Sequence, residues 1–74
     1  MSMEKQPYRF IFRFDDGAVR QVKRSVSPGM AEAAARDIAK AAARKMESES
    51  AVCVWMGPVG AKIPPRLKQE LENE

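Results

Sequence analysis

One alanine-rich segment, residues 27–46, constrains the fold of this 74-residue chain more than any other stretch. Ser27 is a favourable helix N-cap, and Pro28 suits the first helical position, where a missing N–H removes no hydrogen bond. Alanine has the highest helix propensity, and apolar side chains recur at every fourth position. The segment therefore predicts one long helix whose apolar stripe contains Met30, Ala34, Ile38, Ala42 and Met46.

The residues before this helix predict two strands, of which residues 8–14 form the clearer one. Aromatic side chains alternate there with Arg9, Ile11 and Arg13, which is the period of a strand with two different faces. We expect the aromatic face to pack against the helix and to form most of the core. Arg9, Ile11 and Arg13 would then lie on an open face of the sheet.

A hairpin turn and a second strand follow. Asp15 and Asp16 favour a turn because their side chains hydrogen-bond the nearby backbone, and Gly17 can adopt a positive φ. In residues 19–26 the valines depart from strict alternation, which predicts a bulge or an irregular edge. The cations of this segment suit an edge strand, because charge discourages pairing with other chains.

The chain after the helix predicts a return strand. Residues 51–56 are apolar at every position, so we expect a strand that is covered on both faces. A turn at residues 57–60 leaves room for a short fourth strand at residues 61–63, which Pro64 and Pro65 would end.

These elements predict one α+β domain over residues 1–74. The sheet would be antiparallel, with three or four strands in the order 2-1-3, so that the aromatic strand is central. One long helix would cover one face, and a short helical turn would follow near the C-terminus. Residues 1–7 would form a loose arm and residues 66–74 a partly ordered tail.

The composition argues against an enzyme. The chain has no histidine, which removes histidine metal ligands and histidine general bases together. Cys53, the only cysteine, lies within an apolar strand and is expected to be a structural thiol. Asp15 and Asp16 could bind a cation, but the hairpin turn accounts for both. No catalytic residue, metal site or cofactor is therefore predicted.

The sequence also bears on the compartment. The first residues lack the apolar core of a signal peptide, and no run reaches the roughly 18 apolar residues of a membrane span. A single cysteine cannot form an intrachain disulfide, which fits a reducing environment. We therefore expect a cytoplasmic protein without a membrane partner.

The first candidate binding surface is basic. Arg36, Lys40 and Arg44 recur at four-residue spacing on the helix and form a basic ridge. With the cations of the second strand, the ridge could bind phosphates or an acidic protein surface. A solvated helix face explains the same residues, and Glu32 and Asp37 interrupt the ridge and partly neutralise its charge. The cations of the second strand are Arg20, Lys23 and Arg24.

The second candidate surface is the open sheet face. Arg9 and Arg13, with Trp55 if its ring points outward, would form an arginine and aromatic surface of the kind enriched at protein interfaces. Core filling is the simpler explanation of Trp55. A sheet with one bare face also invites dimerisation.

Three features carry a resemblance to a known family and cover about residues 18–68. They are the Ser-Pro-Gly start of the alanine-rich helix, the apolar strand at residues 51–56, and Ile63-Pro64 with Leu67 close behind. In this layout the chain resembles small phage-encoded anti-CRISPR proteins that act on type I systems. The resemblance implies a non-enzymatic inhibitor in the bacterial host cytoplasm. Such an inhibitor binds a protein subunit of the CRISPR surveillance complex and blocks target DNA binding or nuclease recruitment.

Two other functions remain open at this point. A small basic nucleic-acid-binding or regulatory module would bind DNA or RNA with an affinity that falls steeply as salt rises. A phage accessory protein could instead form a homodimer through the open sheet face.

Overall fold

The computed structural model describes residues 5–72 and shows a sheet whose central strand is the aromatic one. Within those residues the elements are β1 (Gln6–Phe14), β2 (Val19–Val26), α1 (Ala31–Lys45), β3 (Ala51–Pro58) and α2 (Pro65–Glu72). Both β2 and β3 pair antiparallel with β1, giving the order β2-β1-β3. The predicted α+β fold and strand order are confirmed.

The core lies between β1 and α1. Phe10 and Phe12 are 0 % exposed, and their rings stack with centroids 6.3 Å apart and planes at 10°. Phe14 and Ala35 complete the buried cluster. Small alanine side chains let the helix lie close to the aromatic face, so the predicted role of that face is confirmed.

The start and the buried face of the helix differ from the prediction. A 3-10 turn at Pro28–Met30 precedes α1, and Ser27 occupies the N-cap position without a side-chain capping bond. Met30 is 56 % exposed and Met46 42 %, whereas the fully buried positions are Ala31, Ala35 and Ala43. Met30 belongs to the 3-10 turn and Met46 follows the last residue of α1, so both ends of the predicted stripe lie outside the α-helix.

The sheet face opposite α1 was predicted to be open, but it is covered around Ile11; Val52, which pairs with Arg13 on the same face, is 60 % exposed. Ile11 is 0 % exposed and Val19 4 %, although neither belongs to the cluster under α1. Helix α2 lies on this side, where it contacts β2 and where Glu70 accepts hydrogen bonds from Arg13. A bare face for homodimerisation is therefore absent around Ile11 in the described structure.

The bulge lies in β3 rather than in β2. Strand β2 keeps an unbroken register with β1, and its valines are divided between the two covered faces of the sheet. In β3, Trp55 pairs with Ile11 and Cys53 pairs with Phe12, which leaves Val54 as the extra residue. Cys53 and Trp55 therefore lie on opposite faces, although residues two apart normally share one.

The two ends of the described chain also depart from the prediction. Gln6 and Pro7 pair with β2, so they belong to β1 and not to the predicted loose arm. The rest of that arm, residues 1–4, and the end of the predicted tail, residues 73–74, lie outside the described residues. Residues 61–63 form no strand, because the chain turns at Pro58 and continues toward α2. The predicted helical turns are present as α2.

Candidate functional site

The basic residues predicted to form one surface are divided by α1. Arg36 and Lys40 lie on the side of the helix that faces β3. Arg24 lies on the β2 side, where it lines a hollow together with Asp37 and Lys45. The helix therefore separates the cations of β2 from most of the predicted ridge.

The remaining predicted cations occupy other positions. Arg44 is exposed in the last turn of α1. Arg20 pairs in register with Phe12 and donates to the carbonyl of Val19 at 3.4 Å. Lys23 lies directly opposite Arg9 in the β1–β2 pairing and thus belongs to the sheet face covered by α2.

Arg9, Arg13 and Trp55 do not form the predicted exposed surface. The guanidinium of Arg13 donates to both carboxylate oxygens of Glu70 at 3.0 Å. Arg9 is half-buried. The indole of Trp55 lies over Gly57, where an added Cβ would be only 3.0 Å from the ring atom Cη2. This packing favours the core-filling interpretation of Trp55.

A groove lies between α1 and the outer edge of β3, and we call it the β3 groove. It has a volume of about 520 Å³. Its helix side presents Glu32, Ala35, Arg36 and Ala39, and its sheet side is formed by residues 51–56. The alanine methyl groups are too short to cover the strand edge, so the groove stays open. A second hollow of about 340 Å³ shares Arg36 and Ala39 with it and extends the groove to Lys40.

The strand at the floor of this groove is an uncharged edge. Within the described residues β3 pairs with β1 alone, so its other side has backbone N–H and C=O groups without a strand partner. No residue of β3 is charged, whereas the other edge strand, β2, contains Arg20, Lys23 and Arg24. Val52 is 60 % exposed, so the prediction that this strand is well covered was wrong.

The β3 groove was not predicted, although two of its signals are present in the amino-acid sequence. One signal is the contrast between a charged and an uncharged edge strand. Edge strands commonly carry charge because charge prevents unwanted pairing, so an uncharged one indicates a surface available for pairing. The other signal is the pair Ala35 and Ala39, which leaves space beside the strand.

Cys53 lies on the floor of the groove and packs against the α1 side of the core. Its thiol donates to the carbonyl of Trp55 at 3.4 Å. Partial burial raises the pKa of the Cys53 thiol. The thiol therefore stays protonated at neutral pH, which supports the structural interpretation over a nucleophilic one.

Asp15 has a structural partner in the loop between α1 and β3. Its carboxylate accepts hydrogen bonds from the Ser48 hydroxyl and from the Glu49 backbone N–H, the latter at 3.3 Å. The bond from Ser48 is the largest cause that lowers the pKa of Asp15. Asp16 accepts from the Ala18 N–H at 2.9 Å, and Gly17 has a φ of +89°, so the predicted turn is confirmed.

Between residues 5 and 72, no group of three or more aspartate, glutamate or cysteine side chains is placed to hold a metal ion. In the same range, neither helix is long and apolar enough to cross a membrane.

The fold and the groove define a small α+β domain with an uncharged edge strand beside cationic side chains. Comparison of the chain with protein-family models, with curated proteins and with solved structures finds no significant match.

Proposed function

We propose that this chain is a non-enzymatic protein-binding domain that takes an extended acidic segment of a partner as an additional strand along β3. The observation that carries the proposal is the uncharged edge of β3 with Arg36 and Lys40 beside it. Strand addition of this kind obtains affinity from main-chain hydrogen bonds and specificity from the side-chain pockets along the edge.

The charges around the β3 groove indicate which segment it would accept. Glu32 and Met56 line the same hollow at one end, whereas Lys40, Glu49 and Ala51 line the hollow at the other end. Arg36 lies between them and, like Lys40, has no ion pair within the described residues. A bound segment would therefore have its carboxylates beside Arg36 and Lys40, away from the acid at each end of the groove.

The partner class to examine first follows from the resemblance to small anti-CRISPR proteins. We propose a protein subunit of a type I CRISPR surveillance complex, whose target DNA binding or nuclease recruitment would be blocked. Inhibition of this kind needs a rigid surface and no reactive group. The β3 groove rests on a sheet with buried aromatic residues and meets that requirement.

Charge reversal beside the groove and in the last turn of α1 tests the proposal. The double variant Arg36→Glu, Lys40→Glu should weaken partner binding at least about tenfold, because it places two acids beside an acidic segment. The control Arg44→Glu, Lys45→Glu makes the same change in net charge outside the groove and should bind nearly as well as the parent chain. The measurement is recovery of the partner from nuclease-treated bacterial lysate, followed by titration calorimetry with that partner.

The strand edge itself is tested in the same assay. Val52→Lys adds a charge to the β3 edge and should reduce binding, because lysine on an edge strand opposes pairing. Gln21→Lys adds the same charge to the exposed edge of β2 and should have little effect. Equal binding by both groove variants and by the parent chain would rule out the β3 groove.

A further inference from the structure

The sheet face covered by α2 contains a cavity lined by cations. Its volume is about 480 Å³. Arg9 lines it from β1, Lys62 from the segment after β3, and Lys68 from the first turns of α2. Ile63 and Pro65 complete the lining, and no carboxylate takes part.

The positive charge in this cavity is not compensated by the described residues. The Nε atom of Arg9 is buried and has no hydrogen-bond partner there. Lys23 lies directly opposite Arg9 across β1 and β2, although like charges in that relation destabilise a sheet. Glu70, on the same helix as Lys68, forms an ion pair with Arg13 and does not line the cavity.

The unpaired Nε of Arg9 and the absence of a carboxylate in the lining leave three cations around this cavity without a counter-charge. The Nε atom itself is inaccessible, so a ligand in the cavity would contact the rest of the Arg9 side chain together with Lys62 and Lys68. Arginine binds carboxylate or phosphate through paired N–H donors, and lysine adds point charges to a phosphate site. The start of α2 adds a smaller positive potential at the same place.

We propose that this cavity binds the terminal phosphate of a phosphate monoester, with Arg9, Lys62 and Lys68 as its ligands. A monoester group has a charge of about −1.5 to −2 at neutral pH, which matches three converging cations better than the single charge of a carboxylate or a phosphodiester. The volume is large enough for the group to be part of a small metabolite or a mononucleotide.

This site is distinct from the β3 groove. The groove lies on the α1 side of β3, whereas the cavity lies between β1 and α2 on the opposite face. Either site can therefore fail its test while the other passes. Trp55 provides a reporter for the cavity, because its ring lies over Gly57 and Gly57 pairs directly with Arg9.

The experiment titrates inorganic phosphate into the full chain at constant ionic strength maintained with chloride. We expect saturable shifts of the Arg9 Nε–H signal by NMR, together with a change in Trp55 fluorescence. A nucleoside monophosphate should compete with phosphate, whereas the corresponding cyclic nucleotide, a phosphodiester, should not. Shifts that rise without saturation, or that chloride reproduces, would overturn the proposal, and equal competition by the cyclic nucleotide would overturn the preference for a monoester.

Two double variants give the decisive comparison. Lys62→Gln, Lys68→Gln removes two exposed cations from the cavity and should weaken phosphate binding at least about tenfold, as expected for the loss of charge-assisted hydrogen bonds. Arg44→Gln, Lys45→Gln removes the same charge from the end of α1 and should leave the affinity unchanged. Equal affinities of the two variants would show that binding reflects net charge only and would overturn the proposal.

Discussion

Asp15 shows how a single carboxylate can join two loops and make stability depend on pH. Its hydrogen bonds from Ser48 and Glu49 lower its pKa from the ordinary value of 3.8. A group whose pKa is lower in the folded state contributes stability above its unfolded pKa and loses it as the pH falls through the folded pKa. We predict that Asp15→Asn lowers the midpoint of thermal unfolding at pH 7 and has progressively less effect below pH 3.8.

Ser48 supplies the control for this prediction. Ser48→Ala removes the hydrogen bond that lowers the pKa of Asp15 most. In that background Asp15→Asn should change the unfolding midpoint less than it does in the parent chain, because the two residues share one interaction. Additive effects of the two substitutions would show that Asp15 acts on stability without Ser48.

At the scale of single elements, local patterns identified the strands and helices but not what covers them. Alternation in β1 showed two different faces, and the aromatic face was correctly placed against the helix. Alternation does not show whether the second face of β1 is exposed or covered, because an isoleucine between two arginines is compatible with both. Ile11 is buried on a face where Trp55 lies directly opposite it and where α2, which is distant in sequence, contacts β2.

The same limit explains the errors in β2 and β3. Val19 breaks the alternation of β2 because both faces of the sheet are covered, and a bulge was inferred from that break. The bulge in β3 could not be predicted from a run in which every residue is apolar, because such a run contains no alternation for the bulge to interrupt. The β3 groove depends on the spacing between α1 and β3, which is a tertiary property.

Ile11 and Arg13 lie on the sheet face where α2 is placed, and they should contribute differently to stability. Ile11→Ala should reduce the free energy of unfolding by about 2–5 kcal/mol, because it removes a fully buried side chain and leaves a cavity. Arg13→Ala should reduce it by no more than about 1 kcal/mol, because its ion pair with Glu70 is 48 % and 43 % exposed. Urea unfolding monitored by Trp55 fluorescence measures both. Similar small losses for the two variants would show that α2 does not cover Ile11 in solution.

For the molecule as a whole, the arrangement of charge matters more than the net charge. Helix α1 lies on one face of the sheet and α2 on the other, and together they divide the cations among three surfaces. The first is the ridge on α1, the second is the α1-facing side of β2, and the third is the cavity under α2. A chain with a net charge of +3 therefore lacks one continuous basic track within its described residues.

This division predicts a shallow salt dependence for any binding to DNA. A duplex lying along α1 would contact about three cations, which corresponds to a slope of about −3 in a plot of log affinity against log salt. Fluorescence anisotropy with a labelled duplex at several chloride concentrations measures that slope, and the ridge residues concerned are Arg36, Lys40 and Arg44. A slope steeper than about −5 would mean that cations from more than one surface contact the nucleic acid together. The nucleic-acid function would then account for the basic residues better than protein binding at the β3 groove, since that groove brings only Arg36 and Lys40 to its partner.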